Sequence, residues 1–253
     1  MEKAKHALTQ TKKTKSSRKP RANKIKAKLL NSFYGQPIKD MKLICITGTS
    51  GKSTVAHFVH EILGAANQQV AILASDQEIK VSTLHKFFNT AWKAGANYVI
   101  VTTPAESLAK DVFYDLPVHL AAITNFIPAS LNAPSTEEYI SDEATLFKMN
   151  PNIVILNQDD AHYSDFKIFA GTDATITYGS HHSVDVQVET SKLYKKGTEA
   201  QLNLHGTRFT VASFLTGESI VSYMAAATAI ANALKIDPDH IINGIANYDP
   251  ESK

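Results

Sequence analysis

Cysteine is nearly missing from this chain, and long apolar runs are missing altogether. With Cys45 alone there is no internal disulfide framework. No stretch approaches the roughly 18 apolar residues that a membrane-spanning helix needs. Acids are missing from one end: residues 1–28 hold eleven Lys/Arg against a single acid, Glu2, and almost no large apolar side chain precedes Leu29. Such a segment cannot bury enough surface to order itself, and it lacks the apolar h-region of a signal peptide. It is expected to be a disordered basic tail, 1–28, that either solvates the protein or attracts a polyanion such as nucleic acid, anionic lipid or an acidic partner. Residence in the cytoplasm is the expectation. Repeats and low-complexity segments are absent outside the tail. The remaining residues, 29–253, carry fifteen basic and twenty-three acidic side chains, and a hydrophobic content of 43% suffices for a large core.

What is present is concentrated at Ile44 to Thr54, ICITGTSGKST. Ile44, Cys45 and Ile46 suit a buried strand, in which Cys45 reads as a small core residue. The loop Thr47, Gly48, Thr49, Ser50, Gly51 comes next, then Lys52, Ser53 and Thr54. Two glycines permit positive φ and close backbone approach, so that successive N–H groups can surround phosphate oxygens. Lys52 would reach the β- and γ-phosphates and Ser53 would set a hydroxyl on Mg²⁺. Val55, Phe58, Val59, Ile62 and Leu63 fall on one face of the helix beginning there, whose positive end points at the same anion. The spacing departs from GxxxxGK[ST], because position 46 is Ile.

Further along, β-rich runs at 69–74, 98–102, 120–124 and 152–157 alternate with helical patterns at 83–94 and 136–149. This alternation predicts an α/β fold, a doubly wound, mostly parallel sheet with the P-loop at the carboxyl ends of its strands. From Thr175 the period changes to two, through Val184, Val186 and Val188, then Leu202 and Leu204, then Phe209 and Val211, with KKGTE as a turn. A small antiparallel β segment near 175–214 is therefore expected. The chain returns to helix over 220–234, and Asp237-Pro238 marks the N-cap and N1 of a last helix.

TGTSGKST resembles the loop of the Mur ligases, and FYGQPIKDMKL ahead of it is similar to the lead-in of their UDP-N-acetylmuramoyl-tripeptide synthetase branch. AAITNF, EEYISDEATLF, VILNQDD, ITYG and LTG with AAATAIANAL come after it in family order, so the resemblance covers roughly residues 30 to 250. It implies a central ATP-binding domain over 29–253 in a protein of peptidoglycan precursor synthesis. In that family ATP phosphorylates a substrate carboxylate and an amine displaces the phosphate, with two Mg²⁺ ions neutralising charge. The family's other domains grip a UDP-N-acetylmuramoyl peptide and deliver the amino acid, and partner chains would have to supply them here.

The resemblance also assigns residues. Lys52 is a catalytic candidate within the nucleotide-binding set Thr47 to Thr54. Asn157, Asp159 and Asp160 match the family's NxDD; Asn157 and Asp160 are expected near the nucleotide, and the two aspartates read equally as the turn that ends the strand. For metal, Ser53 is matched, but the family's Glu-Val-Ser-Ser reads Thr102, Thr103, Pro104, Ala105, which puts a hydroxyl at a glutamate ligand's position. The family's Asp-His-Leu-Asp reads Ala129, Ser130, Leu131, Asn132, and the lysine that is carbamylated falls on Glu143, a second catalytic candidate expected to face the nucleotide. Asp76 and Glu106 are loop acids able to replace a lost ligand. His181 and His182 are adjacent on an extended segment, point to opposite faces and read as loop. Two functions remain: an ATP-dependent amide ligase, or a nucleotide-binding pseudo-ligase that regulates or scaffolds a partner.

Overall fold

The computed structural model describes residues 20–128, 135–170 and 174–250. The chain runs α1 (Pro20–Tyr34), β1 (Lys42–Thr47), α2 (Lys52–Ala65), β2 (Val70–Leu73), α3 (Val81–Lys93), β3 (Tyr98–Thr102), α4 (Ala105–Ala109), β4 (Val118–Ile123), α5 (Thr136–Glu143), β5 (Ile153–Asn157) and α6 (Tyr163–Ala170). It continues through β6 (Thr175–Gly179), β7 (Val186–Tyr194), β8 (Gly197–Leu204), β9 (Thr207–Ser213), α7 (Glu218–Ala233) and α8 (Pro238–Asn247). All nine strands form one sheet in the order β2-β3-β1-β4-β5-β6-β7-β8-β9.

Each central strand is apolar on both sides because helices cover both faces. Ile44 and Ile46, Ile100, Leu120 and Ala122, and Ile155 pack with α2, α7 and α8. Their alternates Leu43 and Cys45, Val99 and Val101, Ala121 and Ile123, and Val154 and Leu156 pack against the α3 and α6 side. Burial pushes the Cys45 thiol pKa up, so it stays a neutral core group. At Gly244 of α8 a Cβ would lie 2.3 Å from the Ile62 Cα, so the glycine lets α8 lie directly on α2.

Three boundaries differ from the sequence reading. The limit expected between residues 28 and 29 falls inside α1, whose Ala27 is fully buried; a helix that packs one face on α3 needs few apolar residues of its own. Residues 1–19 lie outside the described residues. Antiparallel pairing is confined to β7, β8 and β9; β6, although it alternates, pairs parallel with both β5 and β7. The helix expected over 136–149 stops at Glu143, and its continuation tightens to i→i+3 bonds such as Leu146 N–H to the Glu143 carbonyl and Phe147 N–H to that of Ala144. Glu143, Ala144, Leu146 and Phe147 are all buried across this tightening. Asp237 holds the N-cap position of α8 but its side chain makes no capping bond.

Candidate functional site

Strand β1 lies between β3 and β4, and the connections leaving β1 and β4 run to opposite sides of the sheet. That reversal opens a crevice at the carboxyl ends of the two strands, the usual place for a ligand on an open α/β sheet. The loop 48–51 sits in it. Gly48 has φ 128°, and a Cβ there would lie 2.3 Å from Thr124 Oγ1 and 2.8 Å from the Asn125 carbonyl, so only glycine lets the backbone enter.

Residues 124–127 after β4 hold the loop from the other side. Thr49 N–H donates to the Asn125 carbonyl at 3.0 Å, Ser50 N–H donates to Asn125 Oδ1 at 3.0 Å, and Thr124 Oγ1 donates to the Ser50 carbonyl at 2.6 Å. Gly51, at φ 78°, is the N-cap of α2 and packs on the Tyr223 ring, whose hydroxyl lies 3.1 Å from Ser50 Oγ. The first N–H groups of α2, on Lys52, Ser53 and Thr54, have no intrahelical acceptor and face the loop's mouth. Lys52, 8% exposed, folds back so that Nζ donates to the Gly48 carbonyl at 2.8 Å. Ser53 Oγ donates to Asp76 Oδ1 at 3.2 Å, and Lys52 Nζ lies 3.9 Å from the same oxygen.

These residues fit ATP: a glycine loop packed closely on Thr124, Asn125 and Tyr223, a lysine inside it and a helix terminus behind it. For Mg²⁺ they offer Ser53 Oγ beside the Asp76 carboxylate. Among the described residues no group of three His, Cys, Asp or Glu could hold a metal by itself.

Thr102 does not fit a metal role. It is fully buried, its Oγ1 donates to the Ser75 carbonyl at 2.8 Å and accepts from Ser75 N–H at 2.7 Å, and so it ties the end of β3 to the segment after β2. Glu106 is exposed and pairs with Lys110 at 2.7 Å. Residues 129–132, with Ser130, lie outside the described residues. Asn157 and Asp160 are committed one layer back. Asn157 Nδ2 donates to the Thr124 carbonyl at 3.0 Å, and Asp160 accepts from Phe126 N–H at 2.5 Å and from His162 N–H at 2.8 Å, so both hold the clamp behind the loop. His182 Nδ1 lies 2.8 Å from Gln187 Nε2, and His181 Nε2 lies 3.7 Å from Asp159 Oδ1; both are loop contacts.

Glu143 is enclosed by the fold. It is 1% exposed, against the end of β1, with Oε2 on Thr47 Oγ1 and with Oε1 lacking any hydrogen-bond partner. Burial pushes its carboxyl up to about 7, against the opposing pull of the Thr47 and Gly48 hydrogen bonds and the Lys52 charge. The Thr47 hydroxyl has one proton and also lies 3.0 Å from the Thr103 carbonyl, which can only accept.

Thr124 and Asn125 lie in the AAITNF block that carries the family resemblance, but nothing local marks their contacts to the loop, and Tyr223 is marked only as the one aromatic residue of the alanine-rich α7.

Comparison with known proteins gives a consistent picture. The family described as Mur ligase middle domain matches residues 46–231. The UDP-N-acetylmuramoyl-L-alanyl-D-glutamate–2,6-diaminopimelate ligases of Listeria monocytogenes and Bacillus licheniformis are 27% and 29% identical, each over 87% of this chain. The chain spans about half the length of these relatives, 49% in both. A solved structure of a ligase of that name superposes with TM-score 0.81 at 20% identity, over 91% of this chain and 50% of the other. A folylpolyglutamate synthase of Mycobacterium tuberculosis, described as complexed with ADP and AMPPCP, superposes with TM-score 0.73 at 14% identity over 89% of this chain and 62% of its own, sharing the fold.

Proposed function

Because the chain belongs to the Mur ligase family through that middle domain, we propose that it binds ATP with Mg²⁺ in the β1–β4 crevice, in the cytoplasm, as the nucleotide-binding part of an amide ligase of peptidoglycan precursor type. The carrying observation is Gly48, whose missing side chain lets the backbone into a cradle closed by Asn125 and Thr124 and filled by the Lys52 ammonium. On binding, Lys52 gives up the Gly48 carbonyl for phosphate oxygens, a charge-assisted exchange. The N–H groups at the start of α2 add their partial positive charge, and Ser53 with Asp76 would hold the metal. ATP would supply the phosphoryl group that activates a carboxylate; a UDP-N-acetylmuramoyl peptide and an amino acid are the family's acceptor and amine, brought by regions or chains outside this one.

A second reading, a nucleotide-binding pseudo-ligase, is favoured by Thr102, whose hydroxyl is occupied both as donor and as acceptor where the family places a carboxylate ligand. Calorimetric titration with ATP and Mg²⁺ tests the shared premise. Lys52→Ala should weaken binding by about 2–4 kcal/mol, the worth of a charge-assisted bond to a buried phosphate, and equal affinity for the two proteins rejects nucleotide binding by this loop. Amide formation from a muramoyl peptide, ATP and an amino acid, once the regions or chains that bring acceptor and amine are supplied, decides for the ligase; tight ATP binding without amide formation in that complete system decides for the second reading.

A further inference from the structure

Helix α1 covers the α3 side of the fold with one face and leaves the other bare. On the inner face Ala27 and Asn31 are buried, Asn31 Oδ1 lies 3.0 Å from His85 Nε2, and Asn23 Nδ2 donates to the Lys110 carbonyl at 2.8 Å. On the outer face Ile25 is 59% exposed, Leu29 66% and Phe33 79%. Their spacing of four makes one continuous stripe, because residues i and i+4 are neighbours on a helix surface. At about 100° per residue Ala22 falls within that stripe, and Lys26 and Lys28 fall on its two margins. The helix sequence PRANKIKAKLLNSFY contains no acid. Residues 1–19 add seven Lys/Arg against Glu2, and only Met1 and Leu8 as large apolar side chains, too few to cover the stripe.

We propose that α1 is an interfacial anchor that lays Ile25, Leu29 and Phe33 into the headgroup region of an anionic phospholipid surface. Lys26 and Lys28 would meet the lipid phosphates, the Lys stems bending outward while their methylenes stay against the apolar stripe. The arrangement selects this occupant among several. Nucleic acid would use the charge but has no need of three exposed aliphatic and aromatic side chains in a row. A second copy laid stripe to stripe would set lysine margins against each other. Positive charge on both edges of an apolar line complements a flat anionic layer with an oily interior.

Sedimentation of the full chain with vesicles tests this. Vesicles of about one-third phosphatidylglycerol in phosphatidylcholine should carry it down at physiological salt, pure phosphatidylcholine vesicles far less. Leu29→Asp alters an exposed position, so its melting temperature should match that of the parent while its partition falls about tenfold or more. With Trp92→Phe in the background, Phe33→Trp should give a blue-shifted emission on the anionic vesicles. Three results overturn the proposal: no binding to the anionic vesicles, equal binding by Leu29→Asp, which would leave charge as the sole attraction, or a lipid-free dimer that Leu29→Asp dissolves.

Discussion

Burial pushes the Glu143 carboxyl up to about 7 from 4.5, so this side chain couples folding to pH. The folded chain holds a proton that the unfolded chain has released, and the stability this brings is full below about pH 4.5 and is lost as pH rises through about 7. Glu143→Gln keeps a neutral donor against Thr47 and cannot ionise. Relative to the variant, the parent should therefore lose on the order of 2–3 kcal/mol between pH 4.5 and 8, read from denaturant melts; parallel profiles for the two proteins would place the charge in water instead. The same residue marks the limit of reading a site from sequence. Lys52, Gly48 and Gly51 are legible because their work is set by neighbours along the chain. Tyr223 meets Ser50 across 173 residues and Asn125 meets it across 75, and local pattern carries no trace of such contacts. Alignment finds the position of Glu143, but its burial depends on where helix α5 ends.

Among the elements, β3, α2 and the hairpins of β7 to β9 could be read from period and turn residues, since each is stabilised by the pattern it displays. The ends of α1 and α5 could not, because packing against α3 and against the core overrides propensity there. Two helical glycines separate propensity from packing. Gly64 in α2 has open space where a Cβ would go, so Gly64→Ala should raise stability by about 0.5–1 kcal/mol. Gly244 would place its Cβ 2.3 Å from the Ile62 Cα, and a backbone atom cannot move aside. Overpacking of that kind costs about 1–3 kcal/mol, more than the propensity gain, so Gly244→Ala should melt below the parent. Thermal denaturation of both variants gives opposite signs if α8 lies directly on α2.

For the whole molecule, the start of the folded part can be located by deletion. A chain beginning at Pro20 keeps Ala27 on α3, the Asn23 bond to Lys110, and the Lys24 to Asp111 pair at 3.6 Å; a chain beginning at Leu29 loses all three. The shorter chain should melt about 2–6 °C lower than the longer one, as 1–2 kcal/mol would give in a protein of this size. Equal melting temperatures would return residues 20–28 to the tail. One consequence of the sheet's two faces concerns synthesis. The face carrying α2 is closed by α7 and α8, so a nascent chain translates the phosphate loop early but shows Ile44, Phe58 and Ile62 to water and to chaperones until Ile230 and Ile245 have left the ribosome. The motif written first is thus among the last parts of the protein to become rigid.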